Sequence, residues 1–189
     1  MSDDTLGSRL LELARNAIAQ ELAATVSNLA VEHAADTARL DAPGASFVTL
    51  TRQGDLRGCI GTLEAWRPLR RDVVENALAA AFRDPRFAPL DREEFELVAI
   101  EVSLLGASQL MSFADEEDAL AQLETGLDGL IFTCGQRRST FLPQVWESLP
   151  EPRRFLAQLK RKAGFAGDFW SPQVELARYR VKKWKEHRP

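Results

Sequence analysis

Two short strand-like runs separated by a turn constrain the fold more than any other feature of this chain. Residues 46–52 (SFVTLTR) alternate around Phe47, Thr49 and Thr51, and residues 56–64 (LRGCIGTLE) follow directly after the turn-forming sequence Gln-Gly-Asp. The pattern predicts a β-hairpin, because strands joined by so few turn residues pair antiparallel. The chain is therefore expected to build part of its sheet from sequence neighbours.

The remaining segments mix helical and strand periodicities without a regular βαβ order. Helices are predicted over residues 8–35 with Ser8 as N-cap, from Pro68 to Asp84, over 114–126, from Pro143 onward and over 151–164. Further strands are predicted over 95–105, 129–135 and 174–183, and a turn over 135–139. This order favours an α+β fold with a mixed or mostly antiparallel sheet flanked by helices.

Charge and composition limit the functions that the chain can have. With 45% hydrophobic and 28% charged residues, the sequence is typical of a folded globular protein. A net charge of −4 argues against a protein devoted to coating nucleic acid. A basic C-terminal tail still leaves RNA or DNA contact open as an alternative, although most such tails are simply solvated; its cations are Arg178, Arg180, Lys182, Lys183, Lys185 and Arg188.

Neither the N-terminal sequence nor the longest apolar run indicates a membrane. The first ten residues, MSDDTLGSRL, are acidic and lack the basic start and apolar core of a secretory signal, which predicts a cytoplasmic protein. The longest apolar run, residues 97–107, is interrupted by Glu101 and is shorter than the roughly 20 residues that span a bilayer. No membrane role is expected.

Arg57 and Cys59 are the residues of the hairpin most suited to chemistry. With a period of two they share a strand face with Gly61, and a neighbouring guanidinium stabilises a reactive thiolate. Gly61 would leave open space beside the sulfur, and Gly58 would permit a close backbone approach from behind. This arrangement predicts the floor of a small pocket.

A structural interpretation explains much of the same stretch. In this interpretation Cys59 is one more small buried side chain, and the glycines mark a bulge or tight packing. A salt bridge between Arg57 and Glu101 across the sheet would account for both charges without any chemistry. The sequence alone leaves both interpretations open.

The candidate proton acceptors are few. Neither His33 nor His187 is predicted near the hairpin, which argues against a protease-like mechanism and leaves Glu101 or Asp84 as the acceptor. The two cysteines and two histidines match no zinc-ligand spacing, and no phosphate loop or dinucleotide motif is present. No metal and no cofactor are therefore predicted.

Six motifs in order resemble the AMMECR-domain family, whose bacterial and archaeal members are called AmmeMemoRadiSam system protein A. They are LRGCIGTLEA (56–65), AFRDPRFAPL (81–90), IEVSLL (100–105), GLDGLIF (126–132), FLPQVWESLP (141–150) and FLAQLKRKAG (155–164). The resemblance covers about residues 8–180, and residues 56–61 are the family hallmark. It implies one α+β domain of two unequal lobes with a cleft between them, the larger formed by about 8–105 and the C-terminal strand and the smaller within about 106–172.

The resemblance also implies partner proteins, but it does not imply a particular reaction. Members of the family are associated with a radical-SAM protein and with a Memo-like protein similar to extradiol dioxygenases. The chain is therefore expected to be a component of a multi-protein modification or biosynthetic pathway, binding a ligand or partner in a cleft floored by residues 57–59, with Cys59 as nucleophile. A non-catalytic scaffold or partner-binding module is the alternative, and the substrate and oligomeric state stay open.

The family motif assigns the site residues. Cys59, Arg57 and Glu101 are expected to be catalytic. The expected ligand-binding residues are Gly58, Gly61, Asp84, Arg86 and Phe87. The segment 142–146 also matches, and we expect it mainly to hold the smaller lobe together.

Overall fold

The chain forms two compact units, each with its own sheet. The structure, a computed structural model, describes residues 3–22 and 34–186, without the side chains of 34–37. The first unit contains the described residues up to Leu105 and from Lys182 onward, and the second unit is Gly106–Val181. Each unit has a four-stranded antiparallel sheet and helices, so the predicted α+β class is confirmed.

The first unit has the strand order β2-β1-β3-β8. Its elements are α1 (Asp3–Glu21), α2 (Ala34–Asp41), β1 (Ser46–Arg52), β2 (Asp55–Gly61), α3 (Leu69–Phe82), α4 (Arg92–Leu97), β3 (Val98–Leu105) and β8 (Val181–Lys185). The predicted hairpin is confirmed: β1 and β2 pair antiparallel around Gln53 and Gly54, whose φ angles of 53° and 90° are those of a type I′ turn.

Helix α1 begins earlier than the sequence pattern predicts. The expected N-cap, Ser8, lies inside the helix and donates from its Oγ to the carbonyl of Asp4 at 3.0 Å. The acidic Asp3 and Asp4 occupy the first turn, where the helix dipole favours negative charge. Residues 23–33 of the predicted helix lie outside the described residues. No described helix combines the length and apolar character needed to cross a bilayer.

The core of the first unit lies between the sheet and helices α1 and α3. Val48, Leu50 and Ile100 on the inner sheet face and Leu10 and Ile18 on α1 are fully buried. Each such side chain contributes about 1.5–3 kcal/mol by leaving water. This packing buries one face of the sheet against the helices.

The strand predicted over 95–105 starts three residues later than expected. Its first residues belong to α4, which Asp91 caps by accepting from the backbone N–H of Glu94 at 2.8 Å. An acidic first turn with Glu93 and Glu94 adds to the helical preference. Local capping therefore overrides the β-rich pattern up to Leu97, and β3 begins at Val98.

The second unit has the strand order β4-β7-β5-β6. Its elements are β4 (Gln109–Leu110), α5 (Glu116–Ala121), β5 (Gly129–Cys134), β6 (Arg137–Phe141), a 3-10 helix (Pro143–Glu147), α6 (Pro152–Lys162) and β7 (Val174–Tyr179). The predicted turn over 135–139 is too long, because Gly135, with a φ of 59°, turns the chain early and β6 starts at Arg137.

The strand predicted over 174–183 is two strands in different sheets. The chain leaves the strand conformation at Arg180, so that β7 pairs in the second unit and β8 in the first. A continuous period of two describes both halves equally well, which is why the pattern does not reveal the division.

The segment 142–146 is a packing element of the second unit. Trp146 is buried and stacks on Phe155 with ring centroids 3.7 Å apart, and its Nε1–H donates to the carbonyl of Asp128 at 2.7 Å. These contacts tie the 3-10 helix to α6 and to the turn before β5.

Candidate functional site

A β-bulge in β2 reorganises the predicted site. The register between β1 and β2 shifts between Leu50 and Thr51, which leaves Arg57 as an extra residue without a partner. As a result Leu56 lies on the same face as Cys59, 44% exposed, and not on the opposite face as simple alternation predicts. The bulge also frees Arg57 to point away from the ladder.

Arg57 is bound to Glu94 and not to the thiol. Its Nη2 and Nε donate to the Glu94 carboxylate at 2.7 and 3.1 Å, and Nη2 also donates to the carbonyl of Ala88 at 2.9 Å. The hydrogen bond from Arg57 is the main reason that the pKa of Glu94 lies below its usual value. Arg57 thus ties the bulge to the segment 84–94, and the alternative pairing of Arg57 with Glu101 is wrong.

The backbone of Cys59 is held at both polar groups by a side-chain pair. Its N–H donates to Oδ2 of Asp84 at 2.9 Å, and its carbonyl accepts from Nη2 of Arg86 at 3.2 Å. Asp84 and Arg86 are themselves joined at 2.6 Å. Since β2 is an edge strand, the pair takes the hydrogen bonds that a neighbouring strand would otherwise make.

Asp84 is a poor proton acceptor. Its carboxylate is 2% exposed, and the hydrogen bond from Arg86 is the largest cause that holds its pKa far below the usual range; the backbone N–H of Cys59 adds to the effect. A carboxylate so strongly stabilised in its ionised form does not take up a proton near neutral pH. Of the two predicted acceptors, Glu101 remains.

Cys59, Thr49 and Glu101 form a row across three strands. Thr49 is opposite Cys59 on β2 and opposite Glu101 on β3, so the three side chains share one sheet face. The Thr49 Oγ1 hydroxyl donates to the Cys59 sulfur at 3.3 Å. Lys183 of β8 continues the row, with its Nζ 4.0 Å from a Glu101 carboxylate oxygen. Cys59 itself is half-buried.

The two glycines of the hallmark have packing roles. A Cβ on Gly58 would lie 2.2 Å from the carbonyl oxygen of Ala80, so the predicted close approach of backbone is confirmed, with α3 as the neighbour. A Cβ on Gly61 would lie 2.2 Å from the ring of Phe47. The predicted open space beside the sulfur is therefore wrong at Gly61, because that ring occupies it.

Comparison with known proteins identifies the family of the chain. The model of the AMMECR1 family matches residues 11–184. The chain belongs to the AMMECR1 family. It is 38% identical over 197 residues to a protein of Aeropyrum pernix, covering 99% of this chain and 81% of that protein. It is 35% identical over 192 residues to a protein of Methanopyrus kandleri, covering 97% and 89%.

A solved structure agrees with the family assignment. The crystal structure of an uncharacterised protein from Pyrococcus horikoshii matches with a TM-score of 0.81 and 30% sequence identity, covering 98% of this chain and 93% of that one. The AMMECR1 fold described above is therefore shared over nearly the whole length of both chains.

Phe87 completes the predicted set in this AMMECR1 chain. The guanidinium carbons of Arg57 and Arg86 lie 5.7 and 5.5 Å from its ring centroid. The ring is half-buried between the two cations, which suits a side chain that fixes the segment 84–88. The structure thus brings Cys59, Asp84 and Arg86 together, and Arg57 and Phe87 adjoin them through that segment.

Thr49, Glu94 and Lys183 are site residues that the sequence did not single out. Thr49 alternates visibly in β1, but its pairing with Cys59 depends on the bulge. His33 and His187 lie outside the described residues. Among the described residues, no three His, Cys, Asp or Glu side chains are grouped so as to hold a metal ion.

Ion pairs engage much of the basic C-terminal segment of this AMMECR1 chain. Arg180 pairs with Glu124 at 2.7 Å, and Lys182 pairs with Asp3 at 2.6 Å. Lys183 lies beside Glu101 as described above. These pairs offset positive charge that nucleic-acid contact would need, while Arg188 lies outside the described residues.

Proposed function

We propose that this AMMECR1-family protein binds a substrate on the sheet face around Cys59, and that the sulfur acts there as a nucleophile or transient carrier. The protein would do so in the cytoplasm, as one component of a modification or biosynthetic pathway shared with a radical-SAM protein and a Memo-like protein. The observation that carries the proposal is the hydrogen bond from Thr49 to the Cys59 sulfur, at 3.3 Å, in the row that leads to Glu101.

The surroundings of Cys59 suit a thiolate. A hydroxyl that donates to sulfur stabilises its negative charge. The pKa of Arg86 is raised, mainly by its hydrogen bond to Asp84, and charge interaction with Cys59 contributes. Arg86, and not Arg57, is the cation bonded to Cys59, through the Cys59 carbonyl oxygen. Because Asp84 and Arg86 also fix the Cys59 backbone, the sulfur is positioned before a substrate arrives.

Glu101 is the proposed acceptor of the thiol proton. It lies one strand beyond Thr49 on the same face. In the thiol form the Thr49 hydroxyl would accept the S–H proton and give its own proton toward Glu101, and once the thiolate has formed the hydroxyl donates to the sulfur. The sulfur lone pair then forms a bond to an electrophilic carbon of the substrate. The electron pair displaced from that carbon goes to the leaving group or to a carbonyl oxygen, as in other cysteine nucleophiles.

A non-catalytic binding module is the second candidate. Arg57, Asp84, Arg86 and Gly58 all make contacts that a purely structural role explains, since each fixes β2 or the segment 84–94. In that case the sheet face around Cys59 holds a ligand or a partner without transforming it.

Thiol alkylation tests the nucleophile. The native protein would be treated with iodoacetamide over a range of pH, and modification of each cysteine followed by mass spectrometry. Cys134 is buried and serves as an internal control. We expect Cys59 to react faster than free cysteine at neutral pH. Reaction at or below the rate of free cysteine would refute the nucleophile.

The variant Cys59→Ser separates the two candidates. A folded Cys59→Ser protein that still binds its partners but has lost pathway function supports catalysis. A variant with full pathway function supports the binding module, because a hydroxyl is a far weaker nucleophile than a thiolate.

A further inference from the structure

In the second unit some cations are paired with carboxylates and others are not. One group is paired with carboxylates; the pairs are Arg153–Glu117, Arg154–Glu151, Lys160–Glu116 and Arg180–Glu124. The other group is Arg137, Arg161 and Lys162, here called the α6 basic cluster. Among the described residues, no carboxylate oxygen lies within 4.0 Å of these three cations. All three are exposed.

Arg137 is held in place by neutral groups. Its Nη1 donates to the carbonyl of Gly164 at 2.8 Å, and its guanidinium carbon lies 4.8 Å from the centroid of the Phe165 ring. These contacts fix the orientation of the guanidinium and leave its charge unneutralised. A guanidinium ordered in advance loses little entropy when it binds a carboxylate through two hydrogen bonds.

Arg161 and Lys162 border the same turn. A Cβ on Gly167 would lie 3.0 Å from the Arg161 guanidinium carbon, so that group lies against the backbone of the turn that follows α6. The Lys162 Nζ donates to the carbonyl of Thr140 on β6 at 3.0 Å. Asp168 follows Gly167 directly and yet forms no ion pair with the cluster. The three cations therefore lie around the end of α6 and its contact with β6.

The helix dipole accounts for only part of the cluster. Arg161 and Lys162 are in the last turn of α6, where positive charge is stabilising. Arg137 comes from a different element, and none of the described carboxylates pairs with its guanidinium. Three exposed cations that pair with no described carboxylate, in a chain of net charge −4, form a local surface of opposite sign to the whole.

The Phe165 ring beside Arg137 has no free face for a base. Phe165 has Arg137 over one face and stacks on Phe169 at 4.4 Å, while Phe132 meets it edge to face. Single-stranded nucleic acid gains much of its affinity from bases stacked on exposed rings. With both faces covered, Phe165 offers no such platform, which favours a partner that supplies carboxylates alone.

We infer that the α6 basic cluster, with the Arg137 guanidinium held at the turn after α6 and with no carboxylate partner among the described residues, docks an acidic segment of a partner polypeptide. This surface is independent of the Cys59 row, since it rests on other residues and requires no reaction. Its partner is defined by clustered Asp and Glu side chains that complement the three cations.

Binding of an acidic peptide tests the inference directly. A short fluorescein-labelled peptide of alternating Glu and Ala would be titrated with the full-length protein at low salt, against the matching Gln-Ala peptide. We expect clear preference for the Glu peptide. The double variant Arg137→Gln/Arg161→Gln should weaken that binding roughly tenfold, about 1.4 kcal/mol.

A matched variant controls for net charge. Arg153→Gln/Arg154→Gln also removes two positive charges, from exposed positions of the same unit that are paired with carboxylates. This variant should change binding less than about twofold. Equal weakening by both variants, or no preference for the Glu peptide, would overturn the inference. Tighter binding of single-stranded oligo-uridylate that depends on Arg137 and Arg161 would also overturn it, in favour of a nucleic-acid surface.

Folding is checked separately by circular dichroism. If Arg137→Gln/Arg161→Gln does not fold, the single variant Lys162→Gln is compared with Arg154→Gln in the same titration. A greater loss at Lys162 supports the acidic partner, and equal binding by the two variants contradicts it.

Discussion

The two hairpins of this chain contain the same chemical groups and use them in opposite ways. In β5–β6 the register is unbroken, Cys134 is 8% exposed, and Arg137 is exposed with no carboxylate partner in the described part of the chain. In β1–β2 a bulge directs Arg57 to Glu94 and Cys59 is half-buried. The contrast shows that a turn, a cysteine and an arginine do not by themselves define a site.

Strand position accounts for the difference between the two cysteines. β5 is an inner strand, paired on both sides, and Cys134 joins the core of the second unit. β2 is an edge strand, so the backbone groups of Cys59 need other partners, which Asp84 and Arg86 provide. An inner strand makes a cysteine a small core residue, whereas a supported edge strand keeps it accessible.

The largest expected effect is on the glycine that packs β2 against α3. Gly58→Ala should cost about 3 kcal/mol or more of unfolding free energy, because its Cβ would lie 2.2 Å from a backbone oxygen that cannot rotate away. In the other hairpin, Gly135→Ala meets no atom within 4 Å and should cost about 1 kcal/mol for its positive φ. Urea denaturation of both variants measures the difference. An equal loss of unfolding free energy in Gly58→Ala and Gly135→Ala would show that α3 moves to accommodate the added methyl group.

The next effect concerns the carboxylate that supports Cys59. Asp84→Asn should cost about 1.5–3 kcal/mol at neutral pH, because charge-assisted hydrogen bonds from Cys59 and Arg86 are lost. The pKa of Asp84 is lower in the folded state, so its contribution is present above about pH 4 and is lost as the pH falls further. Thermal unfolding against pH should give a flatter acid limb for Asp84→Asn. The exposed Asp168→Asn is the control, and an unchanged acid limb for Asp84→Asn would contradict the assignment.

A smaller effect separates the two arginines. Arg57→Gln should lower the unfolding free energy by about 1–2 kcal/mol, since it leaves Glu94 without its main partner in a largely buried position. Arg137→Gln should cost about 0.5 kcal/mol, because it breaks one bond to a carbonyl and one exposed ring contact. Chemical denaturation of both variants compares them. The reverse order would mean that the bulge does not depend on Glu94.

The smallest effect on stability is expected at Thr49. Thr49→Val keeps the β-branched shape and should change the unfolding free energy by only about 0.5 kcal/mol. It removes the hydroxyl that donates to the Cys59 sulfur, so iodoacetamide should modify Cys59 several-fold more slowly at neutral pH. Thr51→Val, on the same strand face, is the matched control. Unchanged Cys59 reactivity would remove Thr49 from the proposed row.

The sequence predicts the hairpin but not the register on which the site depends. Alternation and the Gln-Gly-Asp turn locate both strands, and counting back from Arg52 opposite Asp55 would pair Thr49 with Gly58. Because of the bulge, Cys59 and not Gly58 is opposite Thr49. The bulge occurs together with an ion pair between Arg57 and Glu94, which are 37 residues apart in the sequence. No local sequence pattern contains that pairing.

The family motif names residues that the structure brings into contact, and local physics explains that contact. Asp84 and Arg86 follow the end of α3, which the sequence predicts from Asp84 and Pro85, and their closeness to Cys59 follows once α3 packs on β2. The division of 174–183 at Arg180 had no such signal. Which sheet a strand joins depends on partners elsewhere in the chain and not on its own alternation.

The side-chain pair at the border of the first sheet has a consequence for solubility. An unpaired edge strand can recruit the backbone of another molecule and begin sheet growth between chains. Asp84 and Arg86 occupy the hydrogen-bonding groups of Cys59 on that edge with opposite charges of the chain's own. The protein can therefore keep its most accessible thiol on an outer strand without offering that strand as a template for aggregation.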